Sequence, residues 1–291
     1  MAIVGIETGG TSTRVAAMDS GRVTLLAQVP TTDPDATLGR IGDALRGVPA
    51  PDALGVAAFG PLDLATGALR ATPKPGWSGF PLGDALGDML GARATVDTDV
   101  NAAALAECRW GVARGLQDAA YVTIGTGLGV GVVHGGRAVH GLPHPEAGHM
   151  TVRRAAGDAF PGACPFHGDC LEGLVAAPAV RARMGKDGAD LDAGERAHLV
   201  RMLAIPIADG LAGLVYACAP RRIVLGGGIS QLDGLLGAVR AAFRARLAGY
   251  PGCPEHDDDA FIAPPALGQR AGIAGALLLA GARDVPEWPA G

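Results

Sequence analysis

The chain has no run of lysine or arginine. Arg153-Arg154 and Arg221-Arg222 are isolated pairs, and the net charge is −5. Proteins that neutralise nucleic-acid phosphates over a broad face are usually basic, so no nucleic-acid partner is expected. No apolar stretch reaches about 18 residues without glycine, proline or a charge, so no membrane span is expected. The longest stretch, Ile205 to Pro220, carries Asp209 and reads as a buried helix. A signal peptide is not expected either, because residues 1–8 form one short strand-like run that meets Gly9-Gly10 at once. These absences together predict a cytoplasmic protein. The cysteines number five, an odd count that does not read as a disulfide framework in a chain of 291 residues. Neither G-x-x-x-x-G-K-[ST] nor G-x-G-x-x-G occurs, which argues against a P-loop NTPase and a Rossmann dinucleotide site. His-Pro-Glu-Ala-Gly-His at 144–149 is not H-E-x-x-H, so a zinc protease is not indicated.

What is present is apolar and ordered. Residues of apolar type make up 48% and charged residues 18%, which excludes a disordered chain, and the length suits one large or two ordinary domains. Ala2–Glu7, Ser12–Met18 and Val23–Val29 read as strands, residues 36–46 as a helix, and Ala53–Phe59 and Ala94–Asp97 as further strands. Val100–Trp110 has helical spacing, with Ala102, Leu105 and Ala106 expected on its inner face. The pattern then repeats: Ala119–Ile124, a glycine turn, and a return strand at Val130–His134. Leu199–Ala219 reads as a helix that Pro206 should break or restart. Residues 185–197 look like a surface connection, Arg222–Leu225 a strand, and Leu235–Leu247 and Gly272–Ala282 helices. Two similar α/β halves predict a cleft between them, since open α/β sheets bind ligands beyond the carboxyl ends of their strands.

Three glycine turns each follow an apolar strand: Gly5 to Thr11 with Gly9, Gly10 and Thr11, then Gly125-Thr126-Gly127, then Gly226-Gly227-Gly228. Glycine permits positive φ and lets backbone N–H groups approach a phosphate. Each turn alone also reads as an ordinary hairpin. Their recurrence at matching places in two halves favours the phosphate reading. Asp97-Thr98-Asp99-Val100-Asn101 closes a strand and opens a helix. A carboxylate there suits the base that phosphoryl transfer needs, while for the segment read in isolation helix capping is the favoured role of Asp97 or Asp99.

His149, Cys164, His167 and Cys170 are spaced H-x14-C-x2-H-x2-C. Two thiolates and two imidazoles suit a tetrahedral structural zinc with no open position, stapling a Pro/Gly-rich loop from Phe160 to Gly173. A pair of ordinary thiols beside two unrelated histidines is the alternative. Cys108 and Cys218 read as core thiols, and His134, His140, His144, His198 and His256 as surface residues.

Together these segments make the chain resemble the ROK sugar kinases, and within them the bacterial fructokinase branch. The resemblance runs in order through G-I-E-T-G-G-T at 5–11, A-A-F-G-P-L-D-L at 57–64, T-P-K-P-G-W at 72–77 and D-T-D-V-N-A-A-A-L-A-E-C at 97–108. It continues through I-G-T-G-L-G-V-G at 124–131, H-P-E-A-G-H at 144–149, C-P-F-H-G-D-C-L-E-G at 164–173 and L-G-G-G-I at 225–229. It implies an α/β, actin/hexokinase-like (ribonuclease H-like) two-domain fold with a central cleft. The first domain would take residues 1–116 and the C-terminal helix 271–291, the second residues 117–270 with the zinc loop 149–173. It implies a phosphotransferase with an alcohol acceptor, using ATP with Mg2+ and binding a structural Zn2+. Asp99 matches the catalytic base. Gly60, Pro61, Asn101, Glu146, His149 and Glu172 match the sugar side, and Gly9, Gly10, Thr11, Gly125, Thr126, Gly127, Pro178, Gly226, Gly227 and Gly228 the nucleotide side. His149, Cys164, His167 and Cys170 match the zinc ligands. A homodimer is implied as well.

Two positions depart from the family pattern. Thr13 stands where relatives often carry lysine, and Thr98 where many carry asparagine against the sugar. The expected reaction is phosphorylation of fructose to fructose 6-phosphate. Mannose, glucose or N-acylhexosamine phosphorylation is the enzymatic alternative. A sugar-responsive regulator is the non-enzymatic one, for which a helix-turn-helix would have to precede Gly5.

Overall fold

The structure, a computed structural model, describes residues 2–289. Its strands are β1 (Ala2–Thr8), β2 (Ser12–Asp19), β3 (Arg22–Pro30), β4 (Ala53–Ala58), β5 (Leu62–Asp63), β6 (Ala68–Leu69), β7 (Ala94–Thr98), β8 (Ala119–Ile124), β9 (Leu128–His134), β10 (Arg137–Ala138), β11 (Ile223–Gly226) and β12 (Ile262–Ala263). Its helices are α1 (Pro34–Ala44), α2 (Leu82–Leu90), α3 (Asp99–Trp110), α4 (Leu171–Val175), α5 (Ala177–Met184), α6 (Ala193–Cys218), α7 (Leu235–Leu247) and α8 (Ala271–Leu279). The chain divides into two compact units, one of residues up to 115, 137–145 and 267 onward, the other of 116–136 and 146–266. Met1, Ala290 and Gly291, expected in the first domain, lie outside the described residues.

In the first unit the sheet runs β3-β2-β1-β4-β7. β1 and β2 form an antiparallel hairpin, while β1, β4 and β7 are parallel. Parallel strands are buried on both faces, which is why Ile3-Val4-Gly5-Ile6 is apolar throughout rather than alternating. One face packs Val4, Ile6, Leu54 and Val56 against Ile41 of α1, Leu86 of α2 and Trp77. The other packs Ile3, Ala16 and Ala57 against Ala102 of α3 and Ile273, Ala276 and Leu277 of α8. The C-terminal helix reaches the sheet at backbone distance, since a Cβ added at Gly55 would stand 1.9 Å from the Ala276 carbonyl oxygen. The register Thr8↔Ala58↔Thr98 makes β1, β4 and β7 end together.

Residues 137–145 belong to this unit, whereas the sequence had placed them in the second. Two histidines hold them there: His140 Nε2 lies 3.0 Å from Asp97 Oδ2, and His144 Nε2 accepts the Leu62 amide at 3.0 Å. His140 is exposed, as expected, whereas His144, also expected at the surface, is buried. Glu107 is also buried on α3, accepting the Val112 amide at 2.7 Å and the Leu267 amide at 2.9 Å. Leu105, expected on the inner face of α3, is half-exposed, while Ala103 and Ala104 are buried.

The second unit repeats the hairpin-plus-parallel plan. Its strands lie in the order β9-β8-β11-β12, with β8 and β9 antiparallel and β8, β11 and β12 parallel. Val122 and Ile124 pack with Leu199, Leu203, Ile207 and Leu211 of α6 and with Leu235, Val239 and Phe243 of α7.

α6 starts inside the stretch that reads as a surface connection. Asp192 and Glu195 form a reciprocal capping box there, the Glu195 amide to Asp192 Oδ1 and the Asp192 amide to Glu195 Oε2, each 2.9 Å. The helix runs unbroken through Pro206, whose ring is buried in the core that holds the flanking turns. By length and composition α6 could cross a membrane, yet 67% of its most apolar window is buried inside the protein. Cys108 and Cys218 lie on helices as expected but are only half-buried.

Gly55→Val should destabilise the protein by about 3 kcal/mol or more, because backbone faces the new side chain and little can yield. Gly237, on an exposed turn of α7 with nothing within 4 Å of an added Cβ, gives the opposite expectation. Gly237→Ala should gain about 0.5–1 kcal/mol through the unfolded chain. Urea denaturation measures both, and an unchanged midpoint for Gly55→Val would mean that α8 does not lie on β4.

Candidate functional site

The carboxyl ends of β1, β4 and β7 gather the chemistry-bearing segments of the first unit. The first glycine turn follows β1 and is closed by the Gly9 amide on the Ser12 carbonyl at 2.9 Å. Thr11 is tied in turn, its carbonyl accepting the Thr31 amide at 2.9 Å. Thr13 is buried with its hydroxyl 2.9 Å from that of Thr31. Beneath the turn Glu7 pairs with Arg14 at 3.0 Å across the hairpin. Burial pushes the Glu7 carboxyl up and Arg14 opposes the rise. Gly60-Pro61 follows β4 through a cis peptide. The F-G-P and T-P-K-P-G-W segments meet here. Trp77 is fully buried, edge-on to Phe59 at 5.3 Å, and donates to the Thr32 carbonyl at 2.6 Å. Lys74 donates to the Thr31 carbonyl at 3.1 Å.

β7 ends in the pair of aspartates, and the structure gives them different surroundings. Asp97 is buried, with Oδ1 accepting the Thr98 amide at 2.7 Å and Asn101 Nδ2 at 2.8 Å, and Oδ2 facing His140. The cap of α3 is neither aspartate but Thr98, whose hydroxyl accepts the Asn101 amide at 3.1 Å. Asp99 therefore occupies the first turn of the helix, half-buried, with Oδ1 accepting the Val100 amide at 2.8 Å. An ionised carboxylate is favoured at a helix N-terminus. Asn101 is fully buried and its amide is committed to Asp97, while its Oδ1 has no protein partner. The His140 and His144 contacts with Asp97 and Leu62 went unread in the sequence, because nothing local marks a pairing across 43 or 82 residues. Burial pushes the His144 imidazole below its ordinary pKa, in keeping with Nε2 accepting a hydrogen bond.

In the second unit the two remaining glycine turns lie side by side. β11 ends beside β8, Gly226 opposite Thr123. Gly227 adopts φ +88° and lies so close to Ile124 that a Cβ would stand 2.3 Å from its carbonyl oxygen. Gly228, by contrast, would project a Cβ into open space, as would Gly125. The Gly125 amide closes the second turn on the Gly127 carbonyl at 2.8 Å, and the Gly125 carbonyl accepts the Ala177 amide at 2.8 Å. Ala177 and Pro178 open α5, a helix start with no side-chain cap. Glycine turns at strand ends can offer backbone N–H groups to an anion, while at the start of α5 the Ala177 N–H is taken by Gly125 and Pro178 has none. Neither Gly125 nor Gly127 has positive φ. What a Cβ at Gly127 would meet is Glu172 Oε2, 2.8 Å away.

Beside this turn stand the carboxylates of Glu146 and Glu172 and the four metal-type ligands. His149 Nδ1 lies 3.7 Å from Cys164 Sγ and 3.5 Å from Cys170 Sγ, and His167 Nδ1 lies 3.8 Å from Cys164 Sγ. All four ligand atoms fall within 4.8 Å of one another. Zn–S and Zn–N bonds of about 2.3 and 2.0–2.1 Å set tetrahedral ligand separations of roughly 3.3–3.8 Å, so the set fits zinc. Burial pushes the Cys170 thiol up to about 11, with Cys164 adding to the rise, so metal uptake must displace protons. Glu146 is pushed up to about 7, first by desolvation and then by the neighbouring charge of Glu172.

The sequence profile of the ROK family matches residues 3–283. A fructokinase of Pediococcus pentosaceus is 38% identical over 286 residues, covering 96% of this chain and 98% of its own. Among solved structures, a ROK hexokinase from Thermus thermophilus superposes with a TM-score of 0.76 at 31% identity, covering 96% of this chain and 98% of its own. A ROK family glucokinase from Streptomyces griseus, in complex with glucose and AMPPNP, gives 0.78 at 26%, covering 96% and 99%.

The raised Glu146 pKa has a direct check. Because the folded protein holds this proton more tightly than the unfolded chain does, the group favours the fold below about pH 4.5, and that advantage is lost as pH rises through about 7. An NMR titration of the Glu146 carboxyl should find a midpoint well above the usual carboxylate range, and Glu172→Gln should lower it. A midpoint near 4.5 in the folded protein would mean that Glu146 stands in open solvent.

Proposed function

We propose that this chain, which belongs to the ROK family and has its hexokinase-like fold, transfers the γ-phosphoryl group of ATP to fructose, forming fructose 6-phosphate. The observation that carries the choice of sugar is the 38% identity to a fructokinase across nearly the whole of both chains. The same reading makes it a cytoplasmic homodimer with no nucleic-acid partner, in keeping with its net charge of −5.

Asp99 is the base. Its place in the first turn of α3 holds the carboxylate at the end of β7, while Asp97 is committed to Asn101, Thr98 and His140. Asp99 accepts the proton of the sugar O6 hydroxyl as that oxygen bonds to the γ-phosphorus. The bond from the γ-phosphorus to the β,γ-bridging oxygen breaks and ADP leaves with the electron pair. The turns at Gly125–Gly127 and Gly226–Gly228, with Gly9, Gly10, Thr11 and the start of α5 at Pro178, surround the phosphates of MgATP and hold them through backbone N–H groups other than those of Gly9, Gly125 and Ala177, which bond within the protein. Gly60, Pro61, Glu146 and His149 face the sugar, as does Glu172. Zinc on His149, Cys164, His167 and Cys170 supplies structural order to the 160–173 loop and takes no part in the transfer.

Three outcomes follow. In an ATP-coupled assay kcat/KM for fructose should exceed that for glucose, mannose and N-acetylhexosamines, and a higher value for any of these would reassign the sugar. Asp99→Asn should keep the fold and lower kcat by at least about 10², with a smaller loss for Asp97→Asn. Near-normal turnover of folded Asp99→Asn protein would remove that residue from the mechanism. Protein purified without chelator should carry about one zinc per chain, and Cys164→Ser should lose both metal and thermal stability, since metal binding free energy is folding free energy at such a site. Zinc-free wild-type protein with the same melting temperature would sink the metal assignment.

A further inference from the structure

The two glycines of the Gly125–Gly127 turn bring no side chain to its support, and beside the internal bond from the Gly125 amide to the Gly127 carbonyl two hydrogen bonds from outside help to secure it. The Leu128 amide donates to Glu172 Oε2 at 2.8 Å, and the Gly125 carbonyl accepts the Ala177 amide at 2.8 Å. Both partners come from one short stretch, 172–177, which comprises most of α4 and the first residue of α5. That stretch begins at the metal ligands. Cys170 is the N-cap of α4, its Sγ accepting the Gly173 amide at 3.4 Å and lying 3.5 Å from His149 Nδ1. The Leu171 amide donates to the carbonyl of Met150, the neighbour of His149, at 2.9 Å, so the start of α4 is tied to the cluster at two points. Gly127 completes the fit, because any Cβ there would occupy the space of the Glu172 carboxylate.

We propose that Glu172 is a positioning residue for the nucleotide, and that the metal loop acts through it on ATP rather than on the sugar alone. The order of the loop sets the start of α4. That helix sets Glu172, and Glu172 fixes the Leu128 amide and with it the Gly125–Gly127 backbone that receives phosphate. A carboxylate accepting a backbone N–H is a charge-assisted hydrogen bond, about twice as strong as a neutral one, and removing it leaves the donor unpaired. The inference rests on the reading of this turn as part of the nucleotide site.

The test is isothermal titration of AMPPNP with Mg2+, and separately of fructose, into the zinc-loaded full chain. Glu172→Ala should raise the AMPPNP Kd about tenfold, while Glu172→Gln, which keeps an amide oxygen as acceptor, should stay within about threefold of wild type. A residue that served the sugar alone would shift the fructose Kd and leave AMPPNP unchanged, which would overturn the proposal. The Leu128 amide resonance gives a readout apart from affinity. It should move in Glu172→Gln and lose protection from hydrogen exchange when zinc is chelated, and an amide unmoved by both changes would overturn the proposal even if Glu172→Ala fails to fold. Gly125→Val tests the underlying reading on its own, since its side chain would enter open space at an ordinary φ. If Gly125→Val leaves the AMPPNP Kd unchanged, the turn is not the nucleotide site. If it weakens AMPPNP but Glu172→Ala does not, the nucleotide site stands and the coupling fails.

Discussion

A glycine turn can bring backbone N–H groups to a phosphate only if something else holds the backbone still. In the second unit the turn closes on itself through the Gly125 amide and the Gly127 carbonyl, and it is held from outside by the Glu172 carboxylate on the Leu128 amide and by the first N–H of α5 on the Gly125 carbonyl. The carboxylate is placed by α4, and α4 begins at Cys170 within the Cys/His cluster. The neighbouring turn follows the same logic with different means. Gly227 is pressed against the Ile124 backbone at φ +88°, so the end of β11 supports the end of β8. Loops of this composition bury little apolar surface, and here the Cys/His cluster and a few charged hydrogen bonds stand where a core would.

The first unit places its groups by sheet register. β1, β4 and β7 are parallel and end together at Thr8, Ala58 and Thr98, so the glycine turn, the cis Gly60-Pro61 and the two aspartates all leave the sheet at one edge. Within Asp97-Thr98-Asp99 the labour divides because Thr98 caps the helix. Asp97 is drawn into a buried network with Asn101 and His140, and Asp99 stands on the first turn of α3. Both oxygens of Asp97 are taken by protein partners, whereas Asp99 stands at the helix start at the end of β7.

Much of this was legible in the sequence. The strands, the three glycine turns, the aspartate pair and the four residues of the Cys/His cluster were each marked by local pattern, whereas the parallel pairing of β1, β4 and β7 went unread. What was missed depends on distance. His144 read as a surface residue because its partner, Leu62, is far away in sequence, and its contact, with that of the exposed His140 on Asp97, returns 137–145 to the first unit. Pro206 read as a break, but burial on both sides carries α6 through it. The Asp192–Glu195 capping box was present in the letters and was passed over inside a polar stretch. Glycine itself was read for the wrong reason at Gly127. Its φ is ordinary, and what it supplies is room for the Glu172 carboxylate.

The central claim is that this site moves phosphate from ATP to the C6 oxygen of fructose. Its most direct measurement is NMR of the product formed from fructose and ATP by the wild-type chain, with phosphorus–carbon couplings to locate the new bond. The account predicts coupling to C6 and C5, with ADP formed in equal amount. Coupling to C1 and C2, or ATP consumed with no sugar phosphate formed, would contradict it.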